Sequence, residues 1–145
     1  MMSLFERLKT KSALWTCEPP ASEAEIQKLV SYFGDNLPTD YLNLLRFCNG
    51  GEGDLASQPV LFFLCSASGA IQLNQDYEVS EFLPGYVMFG DDMANELFGF
   101  RVNAPDTKVY MIPKIVMSEE DAIVVAETFA EFIETIGREY KETDA

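Results

Sequence analysis

Apolar residues Ile26, Leu29, Val30 and Phe33 fall at i, i+3, i+4 and i+7, behind a serine, Ser22, that has Glu25 three residues on. Such spacing places one apolar stripe on a helix, and the serine–glutamate pair is a capping box that opens it. Gly34 supplies the stop. After the turn "DNLP", Pro38 suits the first helical position, and Tyr41, Leu44, Leu45 and Cys48 repeat the spacing in a second helix ending at Asn49 and Gly50. Helices joined by so short a turn are expected to pack on each other or on a common sheet. Upstream, "CEPPAS" at residues 17–22 breaks the pattern. It sets apart a leading segment in which Leu4, Phe5 and Leu8 share a helical face and Leu14 and Trp15 dock on the domain.

The run "VLFFLC", residues 60–65, reads as a buried strand, although a continuous apolar run is also compatible with helix. A weaker helical pattern passes through Ile71, Asn74 or Gln75, and Glu78, and ends before Pro84. Beyond Gly85 the texture changes to "YVMFG", "NELFGFRV" and "KVYMIP", three short runs separated by "DDMA" and "NAPDT". Their β-branched and aromatic content predicts an antiparallel meander. Phe129, Phe132, Ile133 and Ile136 then form a closing helical stripe, with Thr128 or the earlier Ser118 as its start. Helices, a sheet and a final helix make an α+β arrangement: one domain over residues 1–145, its sheet mixed or antiparallel with a three-strand meander, flanked by N-terminal helices and a C-terminal helix.

The glycines of "NGGEGD" follow a helix and sit beside carboxylates, whereas a phosphate cradle needs them before a helix with lysine at its mouth. A phosphate site is therefore excluded. Asn49, Gly50, Gly51 and Gly53 read as a structural turn: Gly50 as a left-handed helix cap, Gly51 and Gly53 as freedom for the chain to reverse. Glu52 and Asp54 would then stand on an exposed loop with accessible backbone.

With 48% apolar residues, eleven Phe and six Tyr, the composition supports an ordinary folded core. A net charge of -14 argues against direct nucleic-acid binding and for a basic partner. The distribution sharpens this, because no basic residue lies between Arg46 and Arg101, while Glu52, Asp54, Asp76, Glu78, Glu81, Asp91, Asp92 and Glu96 do. A second acidic excess spans Glu119 to Asp144, opposed only by Arg138 and Lys141. Cys17, Cys48 and Cys65 are odd in number and widely spaced, which indicates neither a disulfide framework nor a zinc site and favours a reducing compartment. No signal core or membrane span is read, so a cytoplasmic location is expected.

The chain has no histidine, which removes Ser-His and Cys-His nucleophilic catalysis and histidine metal sites together. "CSASG" lacks the first glycine of a nucleophile elbow. Asp91, Asp92 and Glu96 in "DDMANE" match no EF-hand spacing and read first as a solvated turn. Neither enzyme activity nor a metal or cofactor is expected.

"LPTDYLNLLRFCNGGEG" resembles the hallmark helix and asparagine-glycine turn of the Smi/Knr cell-wall-regulator family in the SUKH superfamily. "MFGDDMANELFGF" is similar to that family's Phe-Gly-Asp turn and aromatic strand, "PPASEAEIQKLV" to its entry helix, and "TFAEFIETI" to its closing helix. The resemblance covers about residues 22–136; "DDMANE" departs from it where many relatives carry glycines. It implies a single α+β domain with a mixed sheet and no enzyme activity. Its bacterial relatives are largely immunity proteins that neutralise a cognate toxin, often a nuclease, and its fungal relatives regulate cell-wall synthesis as scaffolds; the compact chain looks like the bacterial kind. The expectation is an acidic surface, carried by Glu52, Asp54, Asp91, Asp92 and Glu96, docking on a basic toxin domain. The alternative is a regulator with a small-ligand pocket lined by Trp15, Tyr41 and the aromatic strands.

Overall fold

The computed structural model describes residues 5, 8, 14–56, 58, 60–103 and 107–140. In chain order the elements are β1 (Trp15–Cys17), α1 (Glu23–Phe33), α2 (Thr39–Phe47), β2 (Gly51–Asp54), β3 (Leu61–Leu64), α3 (Ala67–Asp76), α4 (Val79–Phe82), β4 (Tyr86–Asp91), β5 (Glu96–Arg101), β6 (Val109–Pro113), β7 (Ile123–Ala126) and α5 (Phe129–Thr135). Their starts follow local chemistry. Ser22 Oγ accepts the Glu25 amide at 3.1 Å while the Glu25 carboxylate accepts the Ser22 amide at 2.9 Å, closing the capping box of α1. These bonds, the one from the Ser22 backbone foremost, hold the Glu25 carboxyl below the ordinary glutamate range. Thr128, not Ser118, opens α5; Ser118 precedes only a 3-10 turn at Glu119–Asp121.

The seven strands form one sheet in sequential order, and each neighbouring pair is antiparallel. The predicted meander is β4–β5–β6. Three strands were not foreseen: β1, β7 and, most consequentially, β2, which occupies the supposed glycine turn. Gly50 does take the left-handed region, at φ 107°. Gly51 and Gly53, by contrast, are paired on both sides, opposite Cys17 and Trp15 on β1 and opposite Leu64 and Phe62 on β3. A Cβ on Gly51 would meet the Trp15 ring, and one on Gly53 would run into the backbone of Leu14 and Trp15. Their absence lets Trp15 reach across β2 and stack on Phe62, ring centroids 6.0 Å apart.

On the inner face of the sheet, α1, α2 and α5 close over a core built around aromatic rings. Phe62 meets Phe98 and Phe132 edge-on, each at 5.2 Å, and Tyr41 meets Phe100 at 5.3 Å and Phe129 at 5.7 Å. The stripe Phe129, Phe132, Ile133 and Ile136 is buried there as its spacing requires. Leu4 of the leading segment lies outside the described residues, while Leu8 is buried and Phe5 packs 5.9 Å from Phe47.

Cys17 and Cys48 meet as a disulfide, with Cα atoms 5.5 Å apart, against the expectation of unpaired thiols. The pairing arises because β1 sets Cys17 opposite Gly51, close to the end of α2, a proximity created by strand pairing and without a signature in the local sequence. It withdraws the cysteine argument for a reducing compartment. Cys65 remains a free, buried thiol, pushed up to about 12 by burial and then by the Asp91 charge.

The apolar run 60–65 reads in sequence as a buried strand. β3 instead alternates, with Phe62 and Leu64 buried and Leu61 and Phe63 turned outward at 54% and 39% exposure. After Leu64 the chain leaves the sheet for α3, and β4 loses its strand neighbour at Met88. The buried Asn74 of α3 replaces it: its amide nitrogen donates to the Met88 carbonyl at 2.7 Å, and its oxygen accepts the Met88 amide at 3.0 Å. Asn74→Ala strands both backbone groups, each at about 1–3 kcal/mol, so a loss of at least about 2 kcal/mol is expected in urea unfolding. A loss below about 0.5 kcal/mol would contradict the role assigned to this amide.

Candidate functional site

The outer face of the sheet is divided. Over β4–β6, Val79 and Leu83 from the α4 region pack on Tyr86, Met88, Leu97, Tyr110 and Ile112 in a second apolar cluster. Toward β2 and β3 the side chains on this face are Glu52 and Asp54, directly opposite Phe63 and Leu61. Phe63 in turn stands opposite Asp91 on β4, so Glu52, Phe63 and Asp91 share one cross-strand row. With strands about 4.8 Å apart, the two carboxylates flank the phenyl ring across about 10 Å.

The structure therefore brings Glu52, Asp54 and Asp91 onto one face, but their environments differ. Glu52 is exposed and Asp54 half-buried, on a strand paired along both edges rather than on a loop with accessible backbone. Asp91 binds Lys114 Nζ at 3.1 Å, both side chains mostly buried. The stretch free of basic residues in sequence is thus supplied with a cation in space, from the far end of β6. Asp92 works on the hairpin itself, its Oδ1 accepting the Ala94 amide at 2.8 Å and the Glu96 amide at 3.0 Å. Asp91 Oδ1 takes the Met93 amide at 3.0 Å, and Met93 adopts φ 63°. Two aspartate side chains thereby hold a turn that glycines would otherwise ease. Glu96 is half-buried behind it, its carboxyl raised first by burial and then by Asp92.

Asn49 has a wider reach than a turn residue needs. Its side-chain oxygen accepts the Ala67 amide at 2.8 Å at the start of α3, and its nitrogen donates to Glu25 at 3.2 Å. The hallmark asparagine so links the first turns of α1 and α3 behind the site. Tyr41 and Trp15, considered as pocket lining, are instead sealed in the core against neighbouring rings.

A model of the SMI1/KNR4 family (SUKH-1) matches residues 20–135. The chain belongs to this family. The SMI1/KNR4 match runs from just before the α1 cap to the last residue of α5, and so takes in α1–α5 and β2–β7. Edge strand β1 and its Cys17 fall outside it. No curated protein matches the chain. Among the described residues no cluster of three or more His, Cys, Asp or Glu could hold a metal ion, and no helix is long and apolar enough to cross a membrane.

The Glu96 environment gives a pH signature. An acid whose folded pKa is raised penalises folding where it is ionised, and the penalty fades as pH falls through that raised value. Glu96→Gln is expected to raise Tm on the order of 1–2 °C at neutral pH, with the gain vanishing under acid conditions that protonate carboxylates. An identical gain at every pH in thermal melts would contradict this origin.

Proposed function

We propose that this SMI1/KNR4 protein is a non-enzymatic protein-binding module of the immunity type, which binds a cognate toxin domain and occludes its active site. The observation that carries the reading is the outer sheet face at β2, where Glu52 and Asp54 have no basic neighbour among their cross-strand partners Thr16, Phe63 and Leu61. A nuclease cleft must be positive to hold phosphate, and an acidic face complements it, speeding encounter and excluding the substrate. Family membership supports a binding role, and the absence of histidine from the sequence fits a protein that acts by occlusion.

The decisive assay is co-expression with nuclease toxin domains encoded in the same genome, scored by rescue of growth. For a rescued pair, Glu52→Lys with Asp54→Lys should slow association by about tenfold at low salt and flatten its salt dependence. Rescue of no toxin, or an association rate indifferent to both reversals, would count against the reading.

A further inference from the structure

The acids alone do not define a contact surface; the two large apolar side chains beside them do. Leu61 and Phe63 point outward because Phe62 and Leu64 must point into the aromatic core, and strand alternation leaves no other arrangement. The α4 region, with Met117 and Ala122, covers the same face over β4–β6 and leaves both ends bare among the described residues. At β7, Val124 opposite Tyr110 is exposed without acids on its cross-strand partners, whereas at β2–β3 apolar and acidic side chains stand together. Apolar side chains at the centre with polar ones around them is the anatomy of a protein interface.

We propose that the bare β2–β3 end of the outer face is the docking surface, and that it takes a basic protein patch in which leucine-like side chains alternate with arginine or lysine. This rests on the reading of the chain as a protein-binding module and names where and what it binds. Charge selects the occupant. Glu52 and Asp54 stand beside Phe63 and Leu61 on the adjacent strand, while Lys114 is held by Asp91 at 3.1 Å and Arg138 by Glu134 at 3.4 Å. A second copy would set Glu52 and Asp54 against their own kind in a chain of net charge -14. Beside Leu61 a depression of about 310 Å³, bordered by Asp54, Glu139 and Tyr140, offers a long cationic side chain both carboxylates and a ring.

The test needs no toxin. The ¹⁵N-labelled chain is titrated with a short capped peptide alternating arginine and leucine, and with counterparts carrying glutamine or glutamate in place of arginine. Amide shifts are expected first at residues 52–54 and 61–63, with the glutamine peptide weaker by about fivefold and the glutamate peptide silent. Leu61→Thr with Phe63→Thr should abolish them while leaving the core amides unmoved, since both side chains are exposed and threonine suits a strand. Equal response to all three peptides, or shifts confined to the acids of 119–121 and α5, would overturn the proposal. So would shifts of the same strip on concentrating the free chain, which would assign it to a second copy. A strip that ignores the peptides refutes this surface and leaves toxin rescue standing; a strip that selects the arginine peptide in a chain that rescues no toxin supports the surface and refutes the immunity role.

Discussion

The architecture turns on a side chain standing in for a strand. β3 ends at Leu64, and from there β4 has no ladder partner for Met88 until Asn74 reaches in from α3 to satisfy both its amide and its carbonyl. An unpaired pair of buried backbone groups is costly enough to forbid so short a β3 on its own. Because one amide meets the demand, the chain is free to leave the sheet early, run back as α3 and lay α4 over β4–β6. Only the middle of the outer face is covered in this way. The end at β2 and β3 keeps its apolar and acidic side chains in view.

On that face, number of acids is a poor guide to available charge. Asp91 is neutralised by Lys114, Asp92 is committed to hairpin amides, and Glu96 is drawn back behind the turn. Among the described residues Glu52 and Asp54 make no such side-chain commitments, and they stand beside the two outward apolar residues. Distinguishing acids that hold the fold from acids left open on the surface thus depends on tertiary neighbours, which a run of sequence does not display.

Helices were legible wherever a stripe and a cap coincided, as at Ser22 with Glu25 and at Thr128 with Phe129, Phe132 and Ile133. The meander was legible from β-branched and aromatic runs. What escaped was structure whose cause is non-local. Gly51 and Gly53 look like turn residues, and only the presence of Trp15 above them reveals a strand thinned to admit a ring. β1 has three residues and no pattern of its own, and with it went the disulfide between Cys17 and Cys48. Of the site, the acids at 52 and 54 were found from charge, but placed on a loop; Phe63 and Leu61 were assigned to the core, since a continuous apolar run does not say which face lacks a cover. Lys114 could be matched to Asp91 only through the pairing of β5 and β6.

The most direct test of the proposed docking end of the sheet is hydroxyl-radical footprinting of the chain alone and in complex with a toxin domain that co-expression pairs with it. Phe82 and Ile115, exposed elsewhere on the molecule, serve as internal references. Loss of labelling at Phe63 and Leu61 on binding, with Phe82 and Ile115 unchanged, is the result that the structure predicts. Protection at Phe82 or Ile115 with Phe63 still fully labelled would contradict it.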